Sequence, residues 1–334
     1  MKQLMCAFVG LAWSLTSWAA TPVERILQHW QSPSSDYVMV VAHRAAFMEN
    51  GQIILPENSL PAIAYAIALG VDMVELDIQA TKDGRFVLIH DATVDRTTDG
   101  SGAVKDMTFA ELRQLRLIDE VTGERTEYRI PSLEEVYAMV KDQIMVNLDP
   151  KLNINQLTEA LEIAKAQGVE QQIILKEVAD TPAQLKAIET LMAELSYPVD
   201  FMPMHWDKNG ASLQQLRNSF ERIQPQAAEM VVGLPQQAKV ARTPDGGVLF
   251  SPAVKRLAKE YDVHLWVNTL YVDPLLGKPE YLQWNAGRHD VLGLKYPDQV
   301  FGFWAEQGAT IMQTDEPKFL LDYLKQRGLR TLAP

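Results

Sequence analysis

The chain has 334 residues, and its 43 acidic residues outnumber its 31 lysines and arginines, so that its formal net charge is −12. This balance argues against nucleic acid as a partner, because such binding depends on a positive protein surface. It also disfavours an anionic bilayer, although a local cationic patch can override net charge, so the expected partner is a small soluble molecule.

Residues 1–20 have the pattern of a secretory signal peptide, with a basic start, a mostly apolar centre and small residues up to Ala19 and Ala20. Cleavage is expected near Ala19 or Ala20, and the apolar stretch is too short for a membrane anchor. Cys6 is the only cysteine, so the mature chain, residues 21–334, is expected to have no disulfide or thiol chemistry. The pattern predicts a periplasmic or secreted protein.

The first two predicted strands of the mature chain carry polar residues that suggest chemistry. An apolar run ends at His43, and Arg44 follows it. On the next strand Glu75 and Asp77 are two positions apart, so their side chains share one face. Their neighbours are apolar, which predicts a buried strand where two carboxylates would repel unless a cation lay between them. A hard divalent ion with oxygen ligands fits this need best.

A second histidine ends the following strand. Residues 81–84, Thr-Lys-Asp-Gly, have turn chemistry, and an apolar run then leads to His90. Two histidines at strand ends suit general acid–base catalysis, because one group must activate the nucleophile while another protonates the leaving alkoxide.

A third carboxylate, Asp149, ends another apolar strand and lies two positions before Lys151. A metal ligand and a phosphate-directed cation could therefore face the same centre. Three carboxylates and one divalent ion leave roughly one negative charge, which Arg44 and Lys151 reverse, so the site suits a monoanionic phosphodiester. The pattern predicts metal-assisted cleavage of a phosphodiester.

Predicted strands and helices alternate along the chain, which favours a single α/β barrel over two smaller domains. Nine strands are predicted where a barrel needs eight, and one of those between Gln172 and Gly233 is expected to be an accessory element. The predicted strands lie near residues 38–43, 72–78, 86–90, 144–149, 172–176, 200–204, 229–233, 263–268 and 309–313. The predicted helices span residues 59–69, 133–140, 155–167, 182–194, 212–222, 252–260 and 318–327.

Two further local features are predicted. Asn58 is expected to cap the helix that begins at Ser59. Residues from about 91 to 131 contain no predicted strand and are expected to form an insertion over the barrel mouth, where such a piece would shape substrate choice.

These motifs resemble those of the glycerophosphodiester phosphodiesterase family. The match spans most of the mature chain and is most specific in its first half. The residues that carry it are His43-Arg44, Pro56-Glu57-Asn58, Glu75-Leu76-Asp77, Thr81-Lys82-Asp83-Gly84, His90-Asp91, Arg96-Thr97-Thr98 with Gly100 and Gly102, and Thr314-Asp315 with Pro317.

The resemblance implies a single-domain TIM (β/α)8 barrel that hydrolyses glycerophosphodiesters to glycerol phosphate and an alcohol. It implies that His43 and His90 are the acid–base pair. It also implies that Glu75, Asp77 and Asp149 hold one divalent cation, with Ca²⁺ and Mg²⁺ both open because all three ligands are carboxylates.

Further residues are expected to support this site. Arg44 and Lys151 are expected to bind phosphate, and Trp266 falls where the resemblance puts an aromatic strand lining the pocket. Glu57 and Asn58 are assigned a supporting, structural role, since Pro-Glu-Asn-Ser before a helix is also an ordinary cap.

The chain departs from the family's pattern at two positions, and one further expectation concerns the closure of the barrel. Asp149 stands where the family usually has glutamate, and Ala45 stands where it has glycine, which predicts a different course for the loop after Arg44. Thr314 and Asp315 are expected to end the last strand and close the barrel.

Two alternative functions stay open. One is a phosphodiesterase that acts on a phospholipid headgroup or an inositol phosphodiester, which exposed apolar residues between Phe47 and Leu55 would favour. The other is a non-catalytic periplasmic binding protein on the same barrel, against which the set of two histidines and three acids speaks.

Overall fold

The computed structural model describes residues 20–34, 36–233, 245–271 and 285–330. Residues 1–19 of the predicted signal peptide lie outside the described residues. In the described ranges the strands are β1 (Met39–Ala42), β2 (Met48–Glu49), β3 (Gln52–Ile53), β4 (Met73–Ala80), β5 (Phe86–Leu88), β6 (Met145–Pro150), β7 (Ile173–Val178), β8 (Asp200–Trp206), β9 (Ala227–Val231), β10 (His264–Asn268) and β11 (Ile311–Thr314).

Eight parallel strands form a closed barrel in the order β1, β4, β6, β7, β8, β9, β10, β11. The barrel closes at β1, which pairs with β11 on one side, Met39 opposite Ile311, and with β4 on the other, Val41 opposite Met73. The chain therefore forms the TIM barrel that the sequence predicted. β2 and β3 form a separate two-stranded hairpin.

The accessory strand is β5, which is not where it was expected. β5 runs antiparallel to β4, with Ile78 opposite Leu88, whereas β7, β8 and β9 all belong to the barrel. The turn at residues 81–84 is too short for the crossover that parallel strands need, so only a hairpin can form there. The expectation that the accessory element lies between Gln172 and Gly233 is therefore wrong.

The predicted helices are all present, with ends that differ by at most one residue from the structure. Many start at a capping side chain; Ser132, Thr181 and Ser212 each accept a hydrogen bond from a backbone N–H three residues later. The described helices are α1 (Pro22–Trp30), α2 (Leu60–Leu69), α3 (Phe109–Leu112), α4 (Leu133–Val140), α5 (Ile154–Gln167), α6 (Pro182–Glu194), α7 (Leu213–Ile223), α8 (Pro252–Glu260), α9 (Asp290–Lys295), α10 (Phe303–Glu306) and α11 (Pro317–Gln326).

The cap of α2 corrects one expectation. Ser59, and not Asn58, is the capping residue, because its Oγ accepts a hydrogen bond from the backbone N–H of Ala62 at 3.3 Å. Asn58 instead has a φ of 50° and donates from Nδ2 to Oδ2 of Asp77 at 2.9 Å. The turn before α2 therefore directs Asn58 to a predicted metal ligand.

The barrel interior has an apolar lower layer and a polar upper layer. Met73, Met145 and Ile174 belong to a buried apolar cluster, and Trp30 of α1 joins it. Because inward positions recur every second residue of a strand, the next inward positions toward the carboxyl ends form the upper layer. Those positions are occupied by Glu75, Asn147, Lys176 and Glu229.

Residues 91–131 have a small apolar cluster of their own. They contain a 3₁₀ turn at Val104–Asp106 and helix α3 but, as predicted, no strand. Val94, Leu112 and Ile130 pack together with Val87 of β5, which anchors the segment beside β4. Among the described residues, no helix has both the length and the apolar character needed to cross a bilayer.

Candidate active site

The three predicted metal ligands meet on two adjacent strands of the barrel. Glu75 and Asp77 lie on β4 and Asp149 on β6, where Asp77 is in register with Asp149. One oxygen from each residue lies within 4.8 Å of the other two. We call these three residues the acidic cluster. Carboxylate oxygens are the hard ligands that Ca²⁺ and Mg²⁺ prefer, so this donor set fits a divalent ion.

Two lysines lie against the acidic cluster. Nζ of Lys151 is 2.8 Å from Oδ1 of Asp149 and 3.6 Å from Oδ1 of Asp77. Nζ of Lys176 is 3.3 Å from Oε1 of Glu75 and 3.4 Å from Oδ2 of Asp149. Although burial lowers it, the charges of Asp149 and Glu75 raise the pKa of Lys176 well above its ordinary value. Lys151 was predicted to be near the site, whereas Lys176 was not.

The cations compensate the three carboxylates unequally. Burial raises the pKa of Glu75, but Lys176 and His43 more than offset this and lower it. Burial likewise acts on Asp149, yet Lys176 and Lys151 hold its pKa below the ordinary range. For Asp77, burial and the charge of Glu75 raise the pKa. Asp77 is therefore the member of the acidic cluster least compensated by protein cations.

His43, which follows β1, is held by a carboxylate from the neighbouring strand end. Its Nδ1 lies 2.7 Å from Oδ1 of Asp315, which follows β11, and its Nε2 lies 4.0 Å from Oε2 of Glu75. Burial lowers the pKa of His43, but Asp315 and Glu75 together raise it above the ordinary value. Because Asp315 occupies Nδ1, Nε2 is the ring atom available for proton transfer. The sequence had assigned Asp315 only to closing the barrel.

His90 has the same kind of partner. Its Nδ1 lies 2.7 Å from Oδ1 of Asp91. Arg96 holds that carboxylate, with Nε donating to Oδ2 of Asp91 at 2.8 Å, and also donates from Nη2 to Oε1 of Glu57 at 2.7 Å. Its Nη1 donates to Glu120 of the segment 91–131. Asp91, Arg96 and Glu120 all belong to the segment 91–131, and this segment therefore orients His90.

Arg44 lies buried between two carboxylates at the barrel mouth. Its Nη1 donates to Oε2 of Glu57 at 2.9 Å, and its Nε lies 3.8 Å from Oδ2 of Asp77. Burial raises the pKa of Glu57, but Arg44 and Arg96 lower it to about 2. Glu57 is thus an ionised partner shared by two arginines, which agrees with the supporting role predicted for it.

The loop after β1 turns through a backbone conformation that suits glycine. Arg44 has a φ of 48° and Ala45 a φ of 67°, both in the left-handed region. This turn brings the backbone N–H of Arg44 to within 3.2 Å of Oε2 of Glu75. The alanine at position 45 therefore occupies a strained conformation where glycine would not.

Trp266 lies deeper than expected. Its side chain is fully buried in the lower apolar layer, which does not fit the predicted contact with substrate. Its Nε1 donates to Oδ1 of Asn268 at 2.8 Å, and Asn268 donates from Nδ2 to Oε1 of Glu229 at 2.7 Å. The indole thus packs below the site and supports Asn268 and Glu229 from beneath.

This fold and geometry define a TIM-barrel protein with two histidine–carboxylate pairs beside an acidic cluster at the carboxyl ends of its strands. A family model described as the glycerophosphoryl diester phosphodiesterase family matches residues 43–209, and the chain belongs to this family. A second model, described as a domain of unknown function, matches residues 201–324.

Curated relatives match part of this chain. A glycerophosphodiester phosphodiesterase of Caldanaerobacter subterraneus subsp. tengcongensis is 42% identical over 121 residues, which cover 35% of this chain and 46% of that relative. Glycerophosphodiester phosphodiesterase 1 of Bos taurus is 36% identical over 167 residues, 47% of each chain. The chain thus spans about half the length of the curated relatives it matches.

Solved structures share the fold over nearly the whole chain. A glycerophosphoryl diester phosphodiesterase from Parabacteroides distasonis superposes with a TM-score of 0.65 at 19% identity over 94% of each chain. A phosphodiesterase from Oleispira antarctica, solved with its product sn-glycerol-3-phosphate, gives 0.53 at 18% identity over 87% of this chain and 98% of that chain. At these identities the likeness shows the fold alone.

Proposed function

We propose that the protein hydrolyses glycerophosphodiesters to glycerol phosphate and an alcohol, with one divalent cation, Ca²⁺ or Mg²⁺, at the acidic cluster. The observation that carries this proposal is the pairing of His43 and His90, each through Nδ1, with a carboxylate oxygen 2.7 Å away. Each pair leaves an Nε2 atom for proton transfer, which is the requirement for cleaving a phosphodiester by acid–base catalysis. Membership of the family supports the same reaction.

The two histidines transfer protons, and the nearby cations stabilise the charge on the phosphate. One of His43 and His90 takes a proton from the attacking hydroxyl, and the other gives a proton to the departing alkoxide. The attacking hydroxyl belongs either to water or to the substrate itself, in which case a cyclic phosphate forms first. A divalent ion held by the acidic cluster would supply Lewis-acid polarisation of a phosphate oxygen. Arg44 and Lys151 stabilise negative charge as it grows on the phosphoryl oxygens.

Exposed apolar residues between Phe47 and Leu55 would have favoured a lipid substrate, but most of these residues are not exposed. Phe47 and Met48 are buried in the core, and Ile53 and Leu55 are partly buried against it. Ile54 is exposed, but a single side chain makes no apolar rim for a bilayer. A soluble diester is therefore the better substrate.

We also propose that the predicted signal peptide directs the protein to the periplasm or the exterior.

The experiment is hydrolysis of glycerophosphocholine, glycerophosphoethanolamine and glycerophosphoinositol by the mature protein, followed as release of glycerol phosphate. We expect turnover of at least one of these with Ca²⁺ or Mg²⁺, and a loss of roughly a hundredfold or more in the Asp149→Asn variant. Vesicles containing phosphatidylinositol serve as the lipid arm. Turnover of the vesicles alone would transfer the proposal to a phospholipid headgroup, and no turnover of any diester would favour a binding protein.

A further inference from the structure

Lys176 lies against two of the three predicted metal ligands. Its ammonium bridges two members of the acidic cluster, at 3.3 Å from Oε1 of Glu75 and 3.4 Å from Oδ2 of Asp149. Its side chain is only 9% exposed. Lys151 also bridges two members, at 2.8 Å from Oδ1 of Asp149 and 3.6 Å from Oδ1 of Asp77, but its side chain is 39% exposed and extends toward solvent. The buried ammonium thus already supplies positive charge to the carboxylates proposed as metal ligands.

We propose that Lys176 is a resident cation of the acidic cluster, which competes with the divalent ion and moves to Glu229 when the ion binds. This inference rests on the metal site proposed above. An ammonium and a divalent ion cannot both lie between Glu75 and Asp149, because like charges at contact distance repel strongly in a buried site. Ion binding therefore requires Lys176 to withdraw.

Glu229 offers Lys176 a second position. Its Oε1 accepts a hydrogen bond from Asn268, whereas its Oε2 is buried and has no hydrogen-bond partner among the described residues. Lys176 on β7 and Glu229 on β9 both occupy inward positions of the upper layer, and only β8 lies between their strands. Lys176 also lowers the pKa of Glu229 against the larger effect of burial. A lysine has a flexible four-carbon stem and three donors, so its ammonium can exchange one buried carboxylate for another.

The ammonium of Lys176 also offsets the mutual repulsion of the three carboxylates of the acidic cluster. The carboxylates of Glu75 and Asp77 are buried and that of Asp149 is partly buried, and at mutual distances within 4.8 Å they would repel one another. The ammonium of Lys176 holds two of them together. The consequence is a preformed site whose affinity for divalent ions is lower than its carboxylates alone would give. Such a site would fill and empty with the divalent ion concentration outside the protein.

The test is calorimetric titration of the full mature chain with Ca²⁺ and with Mg²⁺. We expect Lys176→Met to bind the preferred ion at least tenfold more tightly than the unmodified protein. Lys318→Met is the matched control, because Lys318 pairs with Glu49 at the surface and its removal changes the net charge equally. Its affinity should equal that of the unmodified protein. Equal or weaker affinity in Lys176→Met, or equal tightening in Lys318→Met, would overturn the inference.

A double-mutant cycle tests the second position of the lysine. Glu229→Gln should weaken ion binding severalfold in the unmodified background, because the displaced ammonium loses its acceptor charge. In the Lys176→Met background the same change should have little effect. An equal effect in both backgrounds would show only a long-range charge effect and would overturn the proposed movement. If Lys176→Met does not fold, the single variant Glu229→Gln still tests the movement, since an unchanged affinity there contradicts it.

Hydrolysis of glycerophosphocholine, glycerophosphoethanolamine and glycerophosphoinositol by the unmodified protein is measured in parallel. Turnover together with unchanged affinity in Lys176→Met rejects the role of Lys176 and leaves the proposed function intact. Absence of turnover together with tighter binding in Lys176→Met rejects the proposed function and supports the resident cation.

Discussion

Nδ1 of His43 lies 2.7 Å from Oδ1 of Asp315, a residue 272 positions later in the chain. The two residues meet because β1 and β11 are neighbours at the point where the barrel closes. The first and last strands of the barrel thus contribute one histidine–carboxylate pair, and the closure of the fold is a condition for the proposed chemistry.

Replacing Asp315 with asparagine should both slow the reaction and move its pH profile. We expect kcat to fall by about a hundredfold, because the imidazole loses the group that fixes its tautomer. Since Asp315 raises the pKa of His43, its removal lowers that pKa, and the limb of the pH profile that reports His43 should move to lower pH. Asp200→Asn is the control, because Asp200 accepts from Trp30 at the other end of the barrel. A profile that stays in place in Asp315→Asn would contradict this pairing.

Replacing Arg96 with lysine should show whether Arg96 acts by orienting Asp91 or only by its positive charge. Lysine keeps the positive charge but cannot hold Asp91 and Glu57 with one planar group. We expect kcat to fall on the order of tenfold to a hundredfold while the affinity for the divalent ion stays unchanged. Arg113→Lys, which alters an arginine paired with Glu135 outside the site, should retain full activity. Full activity in Arg96→Lys as well would show that Asp91 needs no such support.

Ionised Glu57 should stabilise the folded protein, and this contribution should be lost in acid. Its pKa is lowered from 4.5 to about 2 in the folded protein, despite burial, by Arg44 and Arg96. A depressed folded pKa gives stability that is present above the unfolded value and is lost as the pH falls from 4.5 toward 2. The loss should be roughly 3 kcal/mol. Urea unfolding at several pH values should therefore show a smaller pH dependence in Glu57→Gln over that window. An identical dependence in the variant would contradict the assignment.

Glycine at position 45 should stabilise the protein. Ala45 has a φ of 67°, where a side chain costs roughly 1–2 kcal/mol, while glycine adds about 0.5–1 kcal/mol of unfolded-state entropy. We expect the free energy of unfolding to rise by up to about 1 kcal/mol, measured by urea titration. The neighbouring Ala46 is also buried but is not in this conformation, so Ala46→Gly should destabilise. Stabilisation by both changes, or by neither, would contradict the strain argument.

The sequence predicted the fold well because its signals are local. The helix at residues 182–194 was predicted with its observed ends, since Thr181 and Pro182 mark its start. The barrel strands followed from apolar runs of the right length. The accessory strand was misplaced, although the five-residue connection between Ala80 and Phe86 already required a hairpin. Pairing direction depends on connection length, and that criterion would have identified β5.

Only part of the site was predicted, because only some of its residues lie in local sequence motifs. Glu75, Asp77 and His90 lie in recognisable local motifs, and the structure brings Asp149 to them. Lys176 was missed because the segment around it matched no motif. One signal was available: Lys176 stands two positions after the buried Ile174, so alternation along the strand directs it into the barrel. The partnership of His43 with Asp315 depends on which strands adjoin at closure, and no local pattern contains that information.

The proposed acid–base reaction is tested by the rate of glycerol phosphate release from glycerophosphocholine, glycerophosphoethanolamine and glycerophosphoinositol, measured for the unmodified protein, His43→Ala and His90→Ala. Each is assayed with Ca²⁺, with Mg²⁺ and with EDTA. We predict that the unmodified protein is active with at least one ion and inactive in EDTA, and that each substitution lowers kcat by at least about a hundredfold. Activity that survives both substitutions would contradict the acid–base mechanism, and full activity in EDTA would contradict the metal site.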